Sequence, residues 1–307
     1  MNLTNTKNLI AVTSKVTDAI SRHEPVVALE STVITHGMPY PRNLEVALEL
    51  EEILVNKNVM PAFTAVINGV VKAGLTHDEL RHLASSEQSR KAGVRDLASC
   101  VYFKHTAGTT VSATVRIATL LGIKVFATGG IGGVHRDYLE SMDVSADLLE
   151  LTRSSMIVIC AGAKLLLDVL KTFEYLEALS IPVAVYRSDF IPGFYVAETE
   201  LKAPLRLDQI KDIVDIYNIR KSMDLNGVLL VLNPISKNKE LKNFNFEEII
   251  KSALSFAHKK NVSGQAMTPF LLAEITKQTD GKSLLANVEL IKQNVQLAAD
   301  VSIGLMG

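Results

Sequence analysis

Short apolar runs alternate with longer amphipathic segments along much of this chain. Apolar runs bounded by turn residues predict buried strands, here at residues 25–30, 124–128, 156–160, 181–186 and 227–232. Between them, apolar residues recur at helical spacing at residues 43–56, 146–153, 164–178 and 207–223. Strands that alternate with helices predict an α/β fold in which helices cover both faces of a largely parallel sheet.

Local signals add detail to this pattern. Asn68 and Gly69 lie between two β-prone runs and predict a hairpin, because both residue types tolerate positive φ. Thr76 and Glu79 form a capping-box pattern that predicts a short helix. A helix predicted over residues 108–122 ends at Gly122, a residue type that favours helix C-termini. Three further helices are predicted at residues 246–259, 269–277 and 283–303.

No repeat or low-complexity linker divides the chain, and 48% of its residues are hydrophobic, as is typical of a globular protein with a large core. We therefore expect residues 1–307 to form a single three-layer α/β/α domain. Its C-terminal part is expected to be helical, and residues 1–20 to form a partly helical N-terminal extension.

Charge and cysteine content exclude several classes of function. The 32 basic and 33 acidic residues leave a net charge of -1, which disfavours nucleic acid and anionic membranes as partners. Cys100 and Cys160 are too few for a structural zinc cluster, and Cys160 ends an apolar strand as a small buried residue. Reduced thiols, with no signal peptide and no membrane-spanning run, predict a cytoplasmic protein. An organelle-targeting segment stays open as an alternative.

Three predicted strands end in residues that can carry chemistry. The first ends at Glu30, the second runs into Thr128 and the sequence TGGIGGVHR, and the third leads through CAGA to Lys164. Ligands of open α/β sheets bind beyond the carboxyl ends of the strands. We therefore expect an enzyme site for a small phosphorylated sugar or nucleotide at this edge.

Lys164 is the most reactive candidate among these residues. It follows a turn of small residues at the predicted start of a helix. Burial and the positive end of the helix dipole would both favour the neutral amine that nucleophilic or Schiff-base chemistry requires. The alternative is an ordinary solvated lysine.

The glycine-rich segment at residues 128–136 has two interpretations. It breaks the GxGxxG dinucleotide pattern, because His135 stands where the third glycine should fall. Its flexible backbone and free amides suit close approach to a polar or anionic ligand, with His135 as a titratable group. The alternative is a tight crossover loop that needs positive φ.

Carboxylates and a lysine suggest ion and phosphate binding. Asp143 and Asp147 flank Ser145, and their oxygens suit Mg²⁺ or Mn²⁺ held mostly by water, although Ser145 or Asp143 could equally cap the next helix. Lys91 supplies a positive charge. The start of the helix near Val111 offers amides to a phosphate.

Several long motifs resemble, in the same order, those of the pseudouridine-5′-phosphate glycosidases, also called indigoidine synthase A-like proteins. They are ESTVITHGMP from residue 30, TGGIGGVHR from 128, DVSAD from 143 and CAGAK from 160, followed by NPI at 233, TPFLLA at 268 and SLLAN at 283. The resemblance covers about residues 26–297, nearly the whole chain.

The resemblance implies reversible cleavage of pseudouridine 5′-phosphate to uracil and ribose 5-phosphate. The cleaved bond joins two carbons, which is outside the usual two-carboxylate scheme. It implies that Lys164 captures C1 of the opened sugar as an imine, that Glu30 donates a proton, and that Asp143 is a ligand of Mn²⁺ or another divalent ion such as Mg²⁺. A homotrimer is also implied. The implied substrate-binding residues are Lys91, Val111, Thr128, His135, Ser145, Ala146 and Asp147, with Asn287 near the base.

The sequence departs from the family at one motif. Gly93 and Val94 follow Lys91, where the family more often has a serine and a basic residue, which predicts weaker phosphate binding. Three other functions stay open: another C–C or C–N cleavage on a related phosphosugar, a dinucleotide-binding protein, and a non-catalytic phosphosugar sensor. Turnover of pseudouridine 5′-phosphate separates the glycosidase from the related phosphosugar enzyme. NAD binding insensitive to Lys164→Ala would indicate the dinucleotide-binding protein, and ligand binding without turnover the sensor.

Overall fold

The computed structural model describes residues 9–260, 262 and 267–307; residues 1–8 of the predicted N-terminal extension lie outside these. The described strands are β1 (Ile10–Val12), β2 (Val26–Leu29), β3 (Met60–Ile67), β4 (Val70–Ala73), β5 (Arg90–Ala92), β6 (Ala107–Thr109), β7 (Val125–Ala127), β8 (Ile157–Cys160), β9 (Val183–Tyr186), β10 (Arg206–Leu207) and β11 (Leu229–Leu232). The described α-helices are α1 (Ser14–Ser21), α2 (Thr32–His36), α3 (Arg42–Val55), α4 (His77–Ser85), α5 (Leu97–Tyr102), α6 (Val111–Leu121), α7 (Tyr138–Ser141), α8 (Ala146–Thr152), α9 (Val169–Ala178), α10 (Ile210–Ser222), α11 (Phe246–Lys259), α12 (Met267–Gln278) and α13 (Lys282–Gly304).

The strands form an 11-stranded sheet in the order β1-β4-β3-β2-β7-β8-β11-β9-β10, with β6 joining β3 and β5 joining β6. Strand β3 pairs antiparallel with β4 and β6, and the other described pairs are parallel. The carboxyl ends of β2, β7 and β8, which are consecutive in the sheet, therefore lie side by side.

Hydrophobic layers cover both faces of the sheet. Side chains of Val27 and Leu29 pack with helices α3, α10 and α13, whereas those of Val26 and Ala28 pack with α1, α6 and α8. Successive strand residues point to opposite faces, so a strand buried on both faces shows a continuous apolar run. The predicted α/β fold, with a largely parallel sheet between helical layers and helices in the C-terminal part, is confirmed.

Most local predictions are also confirmed. Asn68 and Gly69 connect β3 to β4 with φ of 49° and 80°. Thr76 and Glu79 form the capping box of α4. Helix α6 ends at Gly122, which has φ of 76°. None of the helices within the described residues is both long and apolar enough to cross a membrane.

Three helices begin later than predicted. The helix predicted over residues 207–223 begins at Ile210, because Arg206 and Leu207 form β10 and pair with β9. The helix predicted from residue 164 begins at Val169, because the carboxylate of Asp168 accepts a hydrogen bond from the Lys171 amide and caps it. Residues 107–109, at the start of the helix predicted over 108–122, form β6 instead. The sequence pattern also did not predict β1, which adds to the sheet edge beside β4.

Candidate active site

Glu30, Thr128 and Lys164 follow the adjacent strands β2, β7 and β8, so the structure brings all three to one edge of the sheet. Two adjoining cavities open there, and Lys91 and Lys164 line both. We call them the small and the large cavity. The small cavity is lined by Glu30, Thr32, Val33, His36, Gly37, Gly129, Gly130, Phe194, Leu272 and Asn287. The large cavity, of about 280 Å³, is lined by polar side chains including Arg95, Thr110, Ser112, His135, Asp143, Ser145 and Asp147.

Glu30 is a buried carboxyl group, 5% exposed, that accepts a hydrogen bond from the Thr128 hydroxyl. Burial raises the pKa of Glu30 above its usual value, although Lys164, the Thr128 hydroxyl and Lys91 act against this. A carboxyl group with a raised pKa keeps its proton at higher pH, as a general acid must.

Lys164 is held by an extension of the sheet and not by a helix. Its amide donates to the Ile131 carbonyl at 3.0 Å, and Ala163 pairs with Ile131 in a parallel β-bridge. Helix α9 begins five residues later, so the positive end of a helix dipole does not act on Lys164 as predicted. The side chain is half-buried where the two cavities meet.

Lys91 and His36 place two basic side chains beside Lys164. Burial and the charge of Lys164 lower the pKa of Lys91, while Asp147, Glu30 and Asp143 raise it. Burial and the neighbouring Lys91 also lower the pKa of His36, which therefore favours the neutral ring. Its Nδ1 lies 2.6 Å from the hydroxyl of Thr35.

Only part of the glycine-rich segment offers its amides to a ligand as predicted. The Ile131 amide donates to the Gly162 carbonyl, and the Gly132 amide to Asp147 at 2.9 Å. The amides of Val134 and His135 also have protein acceptors. Within the described residues no acceptor engages the amides of Gly129 and Gly130, which line the small cavity. The first helix after the segment, α7, begins only at Tyr138, whereas a helix directly follows the glycine loop of a dinucleotide site.

Close packing, not positive φ, explains three of the four glycines in this segment. None of Gly129, Gly130, Gly132 and Gly133 has positive φ. A Cβ at Gly132 would lie 2.2 Å from Ser145 Oγ, and one at Gly133 would lie 2.4 Å from Thr172 Oγ1. The crossover loop therefore needs glycine because neighbouring side chains approach its backbone.

Asp147 joins two parts of the site. Its carboxylate accepts the amide of Gly132 and the amide of Ser112, which lies in the first turn of α6. Ser145 caps α8 by accepting the Asp147 amide at 3.2 Å, so the capping interpretation of Ser145 is confirmed. Because both of its oxygens accept backbone amides, Asp147 holds the glycine-rich segment against the start of α6.

Asp143 and His135 also line the large cavity. Asp143 Oδ2 lies 3.7 Å from His135 Nε2, and the Asp143 side chain is half exposed. No group of three or more His, Cys, Asp or Glu side chains that could hold a metal occurs in the described part of the chain. A divalent ion here would therefore have to be held by Asp143 and water.

Val111 and Ala146 take different places at the large cavity. Val111 is fully buried in the core beneath the start of α6, so only its backbone could face a ligand. The neighbouring Thr110 and Ser112 line the cavity instead. Ala146 also lines it, at the start of α8.

Several other lining residues were not predicted. His36 lines the small cavity and lies in the motif that begins at Glu30, which could have indicated it. Arg95 lies in the segment after Lys91. Phe194 carries no local signal, because tertiary folding brings it to the small cavity. Leu272 lies in the TPFLLA motif, and Asn287, which the family resemblance placed near the base, lines the same cavity from α13.

Cys160 is not a competing nucleophile. It is fully buried at the end of β8, and burial raises the pKa of its thiol to about 12. A thiol with this pKa stays protonated and unreactive at neutral pH.

Comparison with known proteins identifies the family. A sequence model described as indigoidine synthase A like protein matches residues 15–304. The chain is 43% identical to pseudouridine-5′-phosphate glycosidase of Kosmotoga olearia over 92% of this chain and 98% of that protein. It superposes with a TM-score of 0.89 on an indigoidine synthase A-like protein of Thermotoga maritima, at 32% identity and 97% coverage of both chains. The chain also superposes with a TM-score of 0.88 on prealnumycin C-glycosynthase AlnA, solved in complex with ribulose 5-phosphate, at 30% identity and 97% coverage of both chains. The chain therefore belongs to the family of indigoidine synthase A-like proteins.

Proposed function

We propose that this chain is a C-glycosidase that cleaves pseudouridine 5′-phosphate reversibly into uracil and ribose 5-phosphate. The observation that carries the proposal is the position of Lys164, which lines both a polar and a more apolar cavity. A group that attacks C1 must lie between the sugar phosphate and the base. The activity named for the Kosmotoga olearia relative and the C-glycosyl chemistry named for AlnA support this.

The two cavities suit the two halves of the substrate. The large cavity has Lys91, Arg95 and the first turn of α6, which favour an anionic phosphate. The small cavity has Val33, Phe194 and Leu272 for a flat ring and the amide of Asn287 for its polar edge. We therefore assign the phosphate to the large cavity and the base to the small one.

Lys164 then acts as the nucleophile. Its neutral amine bonds to C1 as the bond from C1 to the ring oxygen breaks, and that oxygen takes up a proton to become a hydroxyl. Protonation of the uracil carbon allows the carbon–carbon bond to break, while the lone pair of the lysine nitrogen forms the C1=N imine. Water hydrolyses the imine, which releases ribose 5-phosphate and restores the amine.

Glu30 is the proton donor in this scheme. It lines the small cavity with Lys164, and burial raises its pKa, which favours the protonated carboxyl. The Thr128 hydroxyl holds the carboxyl in place. After the proton has gone to the leaving carbon, Lys91 and Lys164 lie close enough to stabilise the carboxylate electrostatically.

A divalent ion, Mn²⁺ or Mg²⁺, fits beside Asp143. The carboxylate of Asp143 lines the large cavity, and such hard oxygens hold these ions while most of their ligands remain water. The ion would supply positive charge that holds the phosphorylated substrate. His135 lies close enough to position the Asp143 carboxylate.

A cytoplasmic homotrimer is the proposed form of the protein. Cys100 and Cys160 are both free and buried, in accord with a reducing compartment. Tyr102, Phe103 and Leu139 are exposed apolar side chains of the kind that another subunit covers. Light scattering after size-exclusion chromatography tests the trimer, and a monomeric mass at micromolar concentration would refute it.

Uracil release tests the function. Purified protein is incubated with pseudouridine 5′-phosphate and Mn²⁺, and uracil is measured by chromatography. We expect turnover by the wild type, loss in Lys164→Ala, and retention in Lys171→Ala, an exposed lysine on α9. Folded protein with metal that releases no uracil would refute the proposal and favour a related phosphosugar or a sensor. Binding of NAD unaffected by Lys164→Ala would favour the dinucleotide hypothesis.

A further inference from the structure

Phe194 adopts a backbone conformation that bulky residues rarely occupy. Its φ is 66°, and among the described residues it is the only Phe or Tyr with positive φ. The side chain is nevertheless buried, with 3% exposure. Such a conformation is strained and persists where the surroundings fix it, most often at active sites and ligand sites.

The surroundings of Phe194 fix both its backbone and its ring. The Gly193 amide donates to the Val196 carbonyl at 3.0 Å and closes the turn that carries Phe194. The ring packs against Tyr195 with centroids 4.7 Å apart. A Cβ added to Gly130 would lie 2.6 Å from Cε2 of Phe194, so the ring lies directly on the backbone of the glycine-rich segment.

This placement directs an aromatic ring into the small cavity. Phe194 lines that cavity with Lys164, Glu30 and Asn287. It does not line the large cavity, which holds the cationic groups suited to a phosphate. Aromatic rings bind flat heterocycles by stacking, which is independent of the hydrogen bonds at the edge of the base.

We propose that Phe194 is a specificity-determining residue whose ring packs against the flat heterocycle attached to C1. The inference rests on the proposed function and adds to it the means by which the enzyme selects its leaving group. The backbone strain at Phe194 is then explained, because a residue with negative φ at this turn would direct its side chain elsewhere. Gly130 is needed because a side chain there would displace the ring.

The reverse reaction separates base binding from sugar capture. Phe194→Leu keeps an apolar side chain but removes the flat face. We expect the KM for uracil, at saturating ribose 5-phosphate, to rise roughly tenfold, which corresponds to about 1.4 kcal/mol. Borohydride trapping of ribose 5-phosphate alone on Lys164 should be unchanged, because that step does not involve the base.

Three further variants control the result. Phe194→Tyr keeps a ring and should keep the uracil KM within about threefold, an effect of less than ~0.7 kcal/mol. Asparagine tolerates positive φ, so Phe194→Asn is a second test if leucine at this position lowers the yield of folded protein. It should raise the uracil KM as Phe194→Leu does. Phe256→Leu on α11 makes the same exchange away from both cavities and should change neither readout.

Two results would overturn the inference. An unchanged uracil KM in both Phe194→Leu and Phe194→Asn would show that the ring does not bind the base. An equal loss of sugar trapping and of uracil binding would show that Phe194 is only structural. Absence of any ribose 5-phosphate adduct in the wild type would instead refute the proposed function, and this inference with it.

Discussion

Asn294 on α13 should be essential for the stability of the site, although it touches neither cavity. Its side chain is fully buried, and its amide nitrogen donates to the Thr128 carbonyl at 2.8 Å. Its amide oxygen accepts from Asn233 at 3.1 Å. Asn294 therefore fixes the backbone of the residue whose hydroxyl donates to Glu30. Replacement by alanine removes the donor and the acceptor together.

The expected cost follows from these contacts. Loss of a buried hydrogen bond costs about 0.5–1.5 kcal/mol, and a buried carbonyl left without its donor costs about 1–3 kcal/mol. We therefore expect Asn294→Ala to lower the free energy of unfolding by about 2–4 kcal/mol. A shift of Thr128 also displaces the Glu30 carboxyl, so kcat should fall roughly 10- to 100-fold.

Urea unfolding followed by circular dichroism measures the first effect, and uracil release under native conditions measures the second. Gln296→Ala, two residues further along α13 on an exposed position, is the matched control and should change stability by less than about 0.5 kcal/mol. The reasoning fails if Asn294→Ala costs less than about 1 kcal/mol, or if it unfolds more easily while kcat is unchanged.

Four other predictions have defined outcomes. Gly132→Ala should lower the free energy of unfolding by about 1–3 kcal/mol, because the new Cβ would clash with Ser145. Gly129→Ala is the control and should cost little, because its nearest neighbour would lie 3.4 Å from the new Cβ. Equal urea midpoints for the two variants would contradict this. Glu30→Gln should reduce kcat at least ~100-fold. Because burial raises the pKa of Glu30 and its protonated form is the donor, wild-type kcat/KM should fall as pH rises through that pKa, and a rise there would contradict the assignment. Iodoacetamide at neutral pH should leave Cys160 unlabelled in native protein and label it in urea, as peptide mass spectrometry will show.

Strand positions and the edge that carries the site could be predicted from the sequence. The core strands are apolar throughout, because both of their faces are buried, and this gives a strong local signal. Glu30, Thr128 and Lys164 each follow such a strand, and parallel strands place their carboxyl ends together. No further information was needed to expect these three residues in one site.

Contacts between distant segments could not be predicted. The start of α9 at Val169 depends on the extended pairing of Ile131 with Ala163, which keeps the chain around Lys164 out of the helix. The reason for Gly132 lies in Ser145, which approaches it only in the folded protein. Phe194 reaches the small cavity by the same kind of long-range packing. Periodicity and turn signals report only local preferences, so they do not reveal such contacts.

A covalent bond between Lys164 and the sugar is the central claim. Wild-type protein is incubated with pseudouridine 5′-phosphate and Mn²⁺, reduced with borohydride, and examined by intact-protein and peptide mass spectrometry. We predict a mass increase of one reduced ribose phosphate on the peptide that contains Lys164, and none in Lys164→Ala. Release of uracil without an adduct, or an adduct on Lys91 in the wild type, would contradict the assignment of Lys164 as the nucleophile.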